Sequence, residues 1–141
     1  MARKRTVFVT RKMHFNAAHK LYNPSWSDEK NDEVFGKCAN RNWHGHNFDL
    51  FVTVKGDPSD ETGFVMDLKK LKVILDDKVV SKLDHSNLNM DVDFLSDVLP
   101  SIENIAIRIW EQIEHDLPEG VILHCVKLFE TENQYVEYFG D

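Results

Sequence analysis

His44-Gly45-His46 puts two imidazoles on either side of a glycine, with Cys38 standing six positions before the first. If the segment from His44 runs as a strand, side chains two apart share a face, so both rings can reach one ion. Gly45 carries no side chain and leaves the backbone open to close approach. Neutral imidazoles suit zinc, copper, nickel or iron, and zinc is the default for a redox-silent site. His19 is the third candidate ligand, and parity is the reason. Val7, Val9, Met13, Phe15 and Ala17 occupy odd positions with His19, while His44 and His46 share even positions with Phe48, Leu50, Val52 and Val54. Antiparallel pairing of the two segments brings the end of the first beside the start of the second, and His19 beside the pair. His14 has the opposite parity and points away. A lone histidine on an apolar face is ordinarily a hydrogen-bonded core residue. Two desolvated imidazoles on one face are unfavourable unless something binds them, which favours a metal.

Two roles are open to Cys38. As a fourth ligand it closes a tetrahedron of structural character; as a free thiol near a cation it can serve as a general base. Asp84-His85 sets a carboxylate beside an imidazole that it can orient and whose charge it can hold, although the pair also suits a plain helix-ending turn. Glu130 ends an apolar strand, where it can accept two parallel N–H bonds from an aminopyrimidinone ring or act merely as a turn residue. Glu103 lies in the first turn of a helix, which acids favour.

These residues need elements to hold them. Alternation predicts a strand over Val7 to His19 and another over Asn47 to Lys55, ended by Gly56-Asp57-Pro58. The long connection between them contains a short helix opened by Ser27 and closed at Gly36, which delivers Cys38 to the site. Leu68, Leu71, Leu75, Val79 and Leu83 predict a helix from about Asp67 to Leu83, and a second begins at Ser101 and runs to Asp116. Strands over Val121 to Glu130 and Gln134 to Phe139 complete the chain. The expected fold class is therefore α+β: one four-stranded antiparallel sheet, in the order strand, strand, helix, helix, strand, strand, with both helices on one face. The bare face is expected to carry Phe51, Ile122, Val126, Leu128, Val136 and Tyr138, an apolar surface suited to oligomerisation. Trp43 and Trp110 are assigned to packing, and His115 and His124 to the surface.

A chain of 141 residues makes one domain, here 7–141 after a basic tail at 1–6. The formal charge of -7 excludes a general nucleic-acid binder, which needs a basic face. Two cysteines make no disulfide framework, so a reducing, cytoplasmic setting is expected, and no apolar run is long enough for a membrane span.

Phe15-Asn16-Ala17-Ala18-His19-Lys20-Leu21, Phe35-Gly36-Lys37-Cys38, His44-Gly45-His46-Asn47, Leu83-Asp84-His85-Ser86-Asn87-Leu88, Glu103-Asn104 and Phe129-Glu130-Thr131 together resemble the 6-pyruvoyl-tetrahydropterin synthase family. The motifs stand in the family's order over nearly the whole chain. The resemblance implies a tunnelling fold, in which three subunits join their sheets into a barrel and two trimers stack as a hexamer. It implies conversion of 7,8-dihydroneopterin triphosphate to 6-pyruvoyl-tetrahydropterin, with loss of triphosphate, in tetrahydrobiopterin biosynthesis. By the same resemblance, His19, His44 and His46 bind Zn2+ and Cys38 is the proton-abstracting base. Asp84 and His85 of a neighbouring subunit complete its relay. Glu130 anchors the pterin ring, with Glu103, Ser101 and Thr131 about it. Ser101 and Ile102 stand where relatives commonly have two threonines. The related 6-carboxy-tetrahydropterin synthases place their cysteine nearer the His-Gly-His, so the five residues between Cys38 and His44 favour the pyruvoyl-forming enzyme. The contrasting expectation is a non-catalytic, zinc-stabilised binding module with Cys38 as fourth ligand.

Overall fold

The computed structural model describes residues 3–141. Strand β1 (Val7–His19) lies antiparallel to β2 (His44–Gly56) in unbroken register from Val7 opposite Gly56 to His19 opposite His44. Between them come α1 (Asp28–Phe35) and a 3-10 turn at Gly36–Ala39. The Ser27 hydroxyl caps α1 by accepting from the Lys30 N–H, and Gly36 ends it at φ 56°, a left-handed angle that suits glycine. Buried Asn31 knits this long connection together: its Oδ1 accepts from the Asn23 N–H, and its Nδ2 donates to the Asn23 and Ser27 carbonyls. The loop thus carries a polar core of its own.

Helix α2 (Leu68–Leu75) continues through a π-turn (Asp76–Val80) into the single turn α3 (Ser81–Leu83). The reason lies in the spacing. Leu71, Leu75, Val79 and Leu83 repeat at four residues and all are fully buried. In a regular α-helix that repeat drifts by about 40° per step, which would carry the last members off the sheet. The wider π-turn takes up the drift. Each buried leucine stabilises the fold by about 1.5–3 kcal/mol, enough to outweigh the local loss of helical regularity. Helix α4 (Ile102–Ile113) starts at Ser101, whose hydroxyl accepts from the Asn104 N–H, and buries Ile105, Ala106, Ile109, Trp110 and Ile113.

After α3 the chain forms a two-residue strand, β3 (Ser86–Asn87), and the last third supplies β4 (Ile122–Thr131) and β5 (Gln134–Tyr138). The sheet order is β3-β1-β2-β4-β5, so the expected four-stranded antiparallel sheet is in fact five-stranded and mixed. The added strand lies parallel to β1 at Ala17 and Ala18. Two residues are too few to show any alternation, which hides β3 from a sequence pattern.

A second correction concerns the bare face. The β2–β4 register shifts between Thr53 and Val54, opposite Leu123 and Cys125, and this bulge reverses the parity of β4 beyond it. Val126 and Leu128 are therefore buried under the helices, and Val136 and Tyr138 pack against that core. Of the expected bare-face residues, Phe51 and Ile122 lie outside this core. Phe51 and Phe129 pair on the open face at a ring separation of 5.7 Å. His124 is not a free surface residue: its ring packs against Phe8 at 4.6 Å and Phe139 at 5.5 Å. No helix among the described residues is long and apolar enough to cross a membrane.

Candidate metal centre

The β1–β2 ladder ends on the rung His19 opposite His44, with His46 opposite Ala17 one rung-pair back. Alternation turns all three rings to the helix-facing side. Their centroids stand 4.4 Å apart for His19 and His44, 4.9 Å for His44 and His46, and 5.2 Å for His19 and His46. One nitrogen from each ring lies within 4.8 Å of the other two.

His19 is 1 % exposed, and its Nδ1 donates to the Pro100 carbonyl at 2.8 Å, which leaves Nε2 as the lone-pair nitrogen. That atom has no partner, nor do His44 Nδ1 and His46 Nε2, although all are buried. Three unpartnered ring nitrogens in one histidine cluster suit a cation. Burial is the main cause that pushes all three imidazoles below their ordinary pKa, toward the neutral form a metal needs. The Pro100 bond opposes this at His19, and Glu130 opposes it at all three rings.

Glu130 approaches closely, with Oε1 3.6 Å from His46 Nε2 and Oε2 3.9 Å from His19 Nε2. Those separations are too long for hydrogen bonds. Glu130 therefore forms a carboxylate wall beside the cluster, itself only 19 % exposed in its side chain. The bulge explains its position: the reversed parity carries Glu130, with Val126 and Leu128, onto the histidine side.

Cys38 is half-buried in the 3-10 turn and has no place in the histidine cluster; its carbonyl accepts from the Leu21 N–H at 2.7 Å, tying the turn to the end of β1. Asp84 and His85 are brought together, with His85 Nδ1 3.0 Å from Asp84 Oδ2. Asn16 holds both: its N–H donates to Asp84 Oδ1 at 2.9 Å and its carbonyl accepts from the His85 N–H at 2.6 Å. The Asn16 N–H is the main reason the Asp84 carboxyl sits below its ordinary range. The His85 backbone is left-handed at φ 59° and its side chain is 83 % exposed, so the pair is presented outward from its own chain. Glu103 is exposed in the first turn of α4. The hydroxyls of Ser101 and Thr131 accept from the Asn104 and Asn133 N–H groups, so each has a local structural task.

Pro100 and Asn16 act through backbone atoms, which residue types do not signal. Asn16 Nδ2 also donates to Asn47 Oδ1 across β1 and β2 at 2.8 Å, a pairing of two amides that residue type alone does not mark as functional.

Fold and cluster together define an α+β sheet protein able to hold a metal on three imidazoles, a ligand number that leaves room for a guest molecule. The model of the 6-pyruvoyl tetrahydropterin synthase family matches residues 8–141, and the chain belongs to that family of enzymes. It is 46% identical over 133 residues to the 6-pyruvoyl tetrahydrobiopterin synthase of Pongo abelii and 45% identical over 133 residues to that of Homo sapiens. Each alignment covers 94% of this chain and 91% of the relative. The solved structure of Caenorhabditis elegans 6-pyruvoyl tetrahydropterin synthase superposes with a TM-score of 0.92 at 36% identity, covering 100% of both chains.

Proposed function

We propose that the protein is a zinc-dependent lyase that converts 7,8-dihydroneopterin triphosphate to 6-pyruvoyl-tetrahydropterin with release of triphosphate, in tetrahydrobiopterin biosynthesis. The observation that carries this reading is the meeting of three unpartnered imidazole nitrogens beside a carboxylate, in a chain of this family. His19, His44 and His46 would hold the zinc, which would supply Lewis-acid polarisation of the substrate's side-chain oxygens and so acidify the neighbouring C–H bonds.

The chain's own residues do the rest. Cys38 Sγ takes the proton from carbon, from a half-buried turn that the Leu21 N–H ties to the end of β1. Asp84, held ionised by the Asn16 N–H, orients His85 and stabilises its charge as the proton passes on. Glu130, whose carboxylate stands beside the cluster, accepts paired N–H bonds from the pterin ring, and Glu103, Ser101 and Thr131 would contact the same ring. The side-chain rearrangement is an internal redox exchange and uses no outside oxidant.

The relay serves a neighbouring subunit's cysteine, a reading supported by its outward presentation. Assembly into a trimeric barrel, stacked as a hexamer, is supported by the open aromatic sheet face and by the free edges of β5 and most of β1. The free cysteines Cys38 and Cys125 fit a cytoplasmic protein. The test is incubation with 7,8-dihydroneopterin triphosphate and mass-spectrometric identification of the pterin product. Appearance of 6-pyruvoyl-tetrahydropterin with stoichiometric triphosphate supports the proposal. A 6-carboxy-tetrahydropterin product would reassign the enzyme within its family, and no triphosphate release would overturn the reading.

A further inference from the structure

A triphosphate end needs cations, and in a chain of formal charge -7 their placement is informative. One rung beyond His19 and His44 the chain leaves the ladder at Lys20 and Trp43. Trp43 has a left-handed backbone at φ 68°, a conformation costly for a bulky side chain, and it immediately precedes a cluster histidine. Its ring faces the Lys20 ammonium at 4.5 Å, and the Tyr22 ring faces the same ammonium at 5.1 Å. The Lys20 backbone is clamped at both groups by Asn89, whose Oδ1 accepts from its N–H and whose Nδ2 donates to its carbonyl, each at 3.0 Å.

This lysine opens onto a cavity of about 470 Å³ lined by Lys20, Tyr22, Asp28, Asp32, Asn40 and Arg41, with the Cys38 turn forming its edge through Ala39. Among the described residues neither Lys20 nor Arg41 forms an ion pair with a carboxylate within 4.0 Å. Asp28 is partly occupied by the Tyr22 hydroxyl, which donates to it at 2.6 Å. Two cations thus stand without a carboxylate partner in a concave site, Lys20 next in sequence to His19 and Arg41 three positions before His44.

We infer that Lys20 and Arg41 seat the polyphosphate end of the substrate, with Trp43 and Tyr22 positioning the Lys20 ammonium. This rests on the triphosphate reading above. The strain at Trp43 then has a use, because it turns the ring to hold the lysine at the rim. Ammonium and guanidinium groups bind phosphate oxygens through charge-assisted hydrogen bonds, and such contacts fix one end of a ligand whose reacting side-chain carbons lie between the phosphates and the pterin ring. Asp32 opposes the anion and weakens the seat, which favours release of the triphosphate product.

The probe is inorganic tripolyphosphate, titrated calorimetrically into zinc-loaded protein whose metal content is measured before and after. Lys20→Gln and Arg41→Gln should each weaken its binding about tenfold, while affinity for unphosphorylated 7,8-dihydroneopterin stays at the wild-type value. With the triphosphate substrate the loss should appear in KM. Asp32→Asn should tighten tripolyphosphate binding about twofold to threefold. Wild-type tripolyphosphate affinity in both cation variants would overturn the inference, as would weaker binding in Asp32→Asn, which marks a cation pocket. If the natural triphosphate is not turned over yet the tripolyphosphate pattern holds, the reaction reading fails and the anion seat stands.

Discussion

Replacing His44 by leucine should stabilise the metal-free protein while destabilising the metal-loaded one. His44 Nδ1 is buried without a partner, and its ring packs against His19 and His46 at 4.4 Å and 4.9 Å. A buried polar atom left unsatisfied costs about 1–3 kcal/mol, and an apolar side chain of similar size removes that cost. After the loss of ring contacts is subtracted, His44→Leu should raise the stability of chelator-stripped protein by about 1–2 kcal/mol, or roughly 2–6 °C in Tm for a domain of this size. The metal-loaded wild type moves the other way. Bound at about a hundredfold above its Kd, an ion adds about 2.7 kcal/mol, and the variant forfeits that gain with its third ligand. The assay is differential scanning calorimetry of both proteins, stripped and zinc-loaded, at one protein concentration so that assembly contributes equally. A stripped variant that melts below the stripped wild type, by the same margin as in the loaded pair, would refute the reasoning. The three imidazoles would then be ordinary packed histidines.

Acid should destabilise the stripped protein in a defined window. Burial holds all three cluster imidazoles below the ordinary value of 6.5, so as the pH falls below 6.5 the unfolded chain takes up protons that the folded chain refuses. Stability is complete above that value and declines toward the depressed ones, and the urea midpoint should fall between about pH 7.5 and about pH 5.5; a flat profile would count against it. Separately, Cys38→Ala and Asp84→Asn should each keep zinc and lose turnover, yet refolding an equal mixture should restore activity in about a quarter of sites, since a site drawing cysteine and relay from two chains escapes both lesions at that rate. Failure of the mixture to exceed either parent would place cysteine and relay in one subunit.

Much of the fold could be read from alternation. Val7 to His19 keeps a period of two except at Arg11 and forms β1 with those bounds, and the strand expected over Asn47 to Lys55 lies within β2. Two features escaped because they change the count by a single residue. The bulge opposite Thr53 leaves the composition of β4 untouched while moving Val126 and Leu128 from the open face to the core. The π-turn hides inside a helical pattern whose spacing of four, rather than alternating three and four, was its only signal. In both places helix-to-sheet packing fixes the outcome, and a local pattern cannot weigh that packing.

The candidate site was legible to the extent that its geometry follows from strand parity. His19, His44 and His46 meet because two ladders in register put them there, and the same logic sent His14 to the exposed face. Glu130 shows where parity alone stops: only the bulge carries its carboxylate to within 3.6 Å of His46. What lay out of reach was the backbone that holds these side chains. The Pro100 carbonyl selects the His19 tautomer, and both main-chain groups of Asn16 fix Asp84 and His85. The two non-glycine residues with positive φ among those described are Trp43, which immediately precedes the cluster histidine His44, and His85, which lies beside Asp84. Strain of about 1–3 kcal/mol at each is retained where side chains must leave the regular path of a strand or helix. The sheet thus provides a row of imidazoles, and the less regular segments around it carry Cys38, Asp84 and His85.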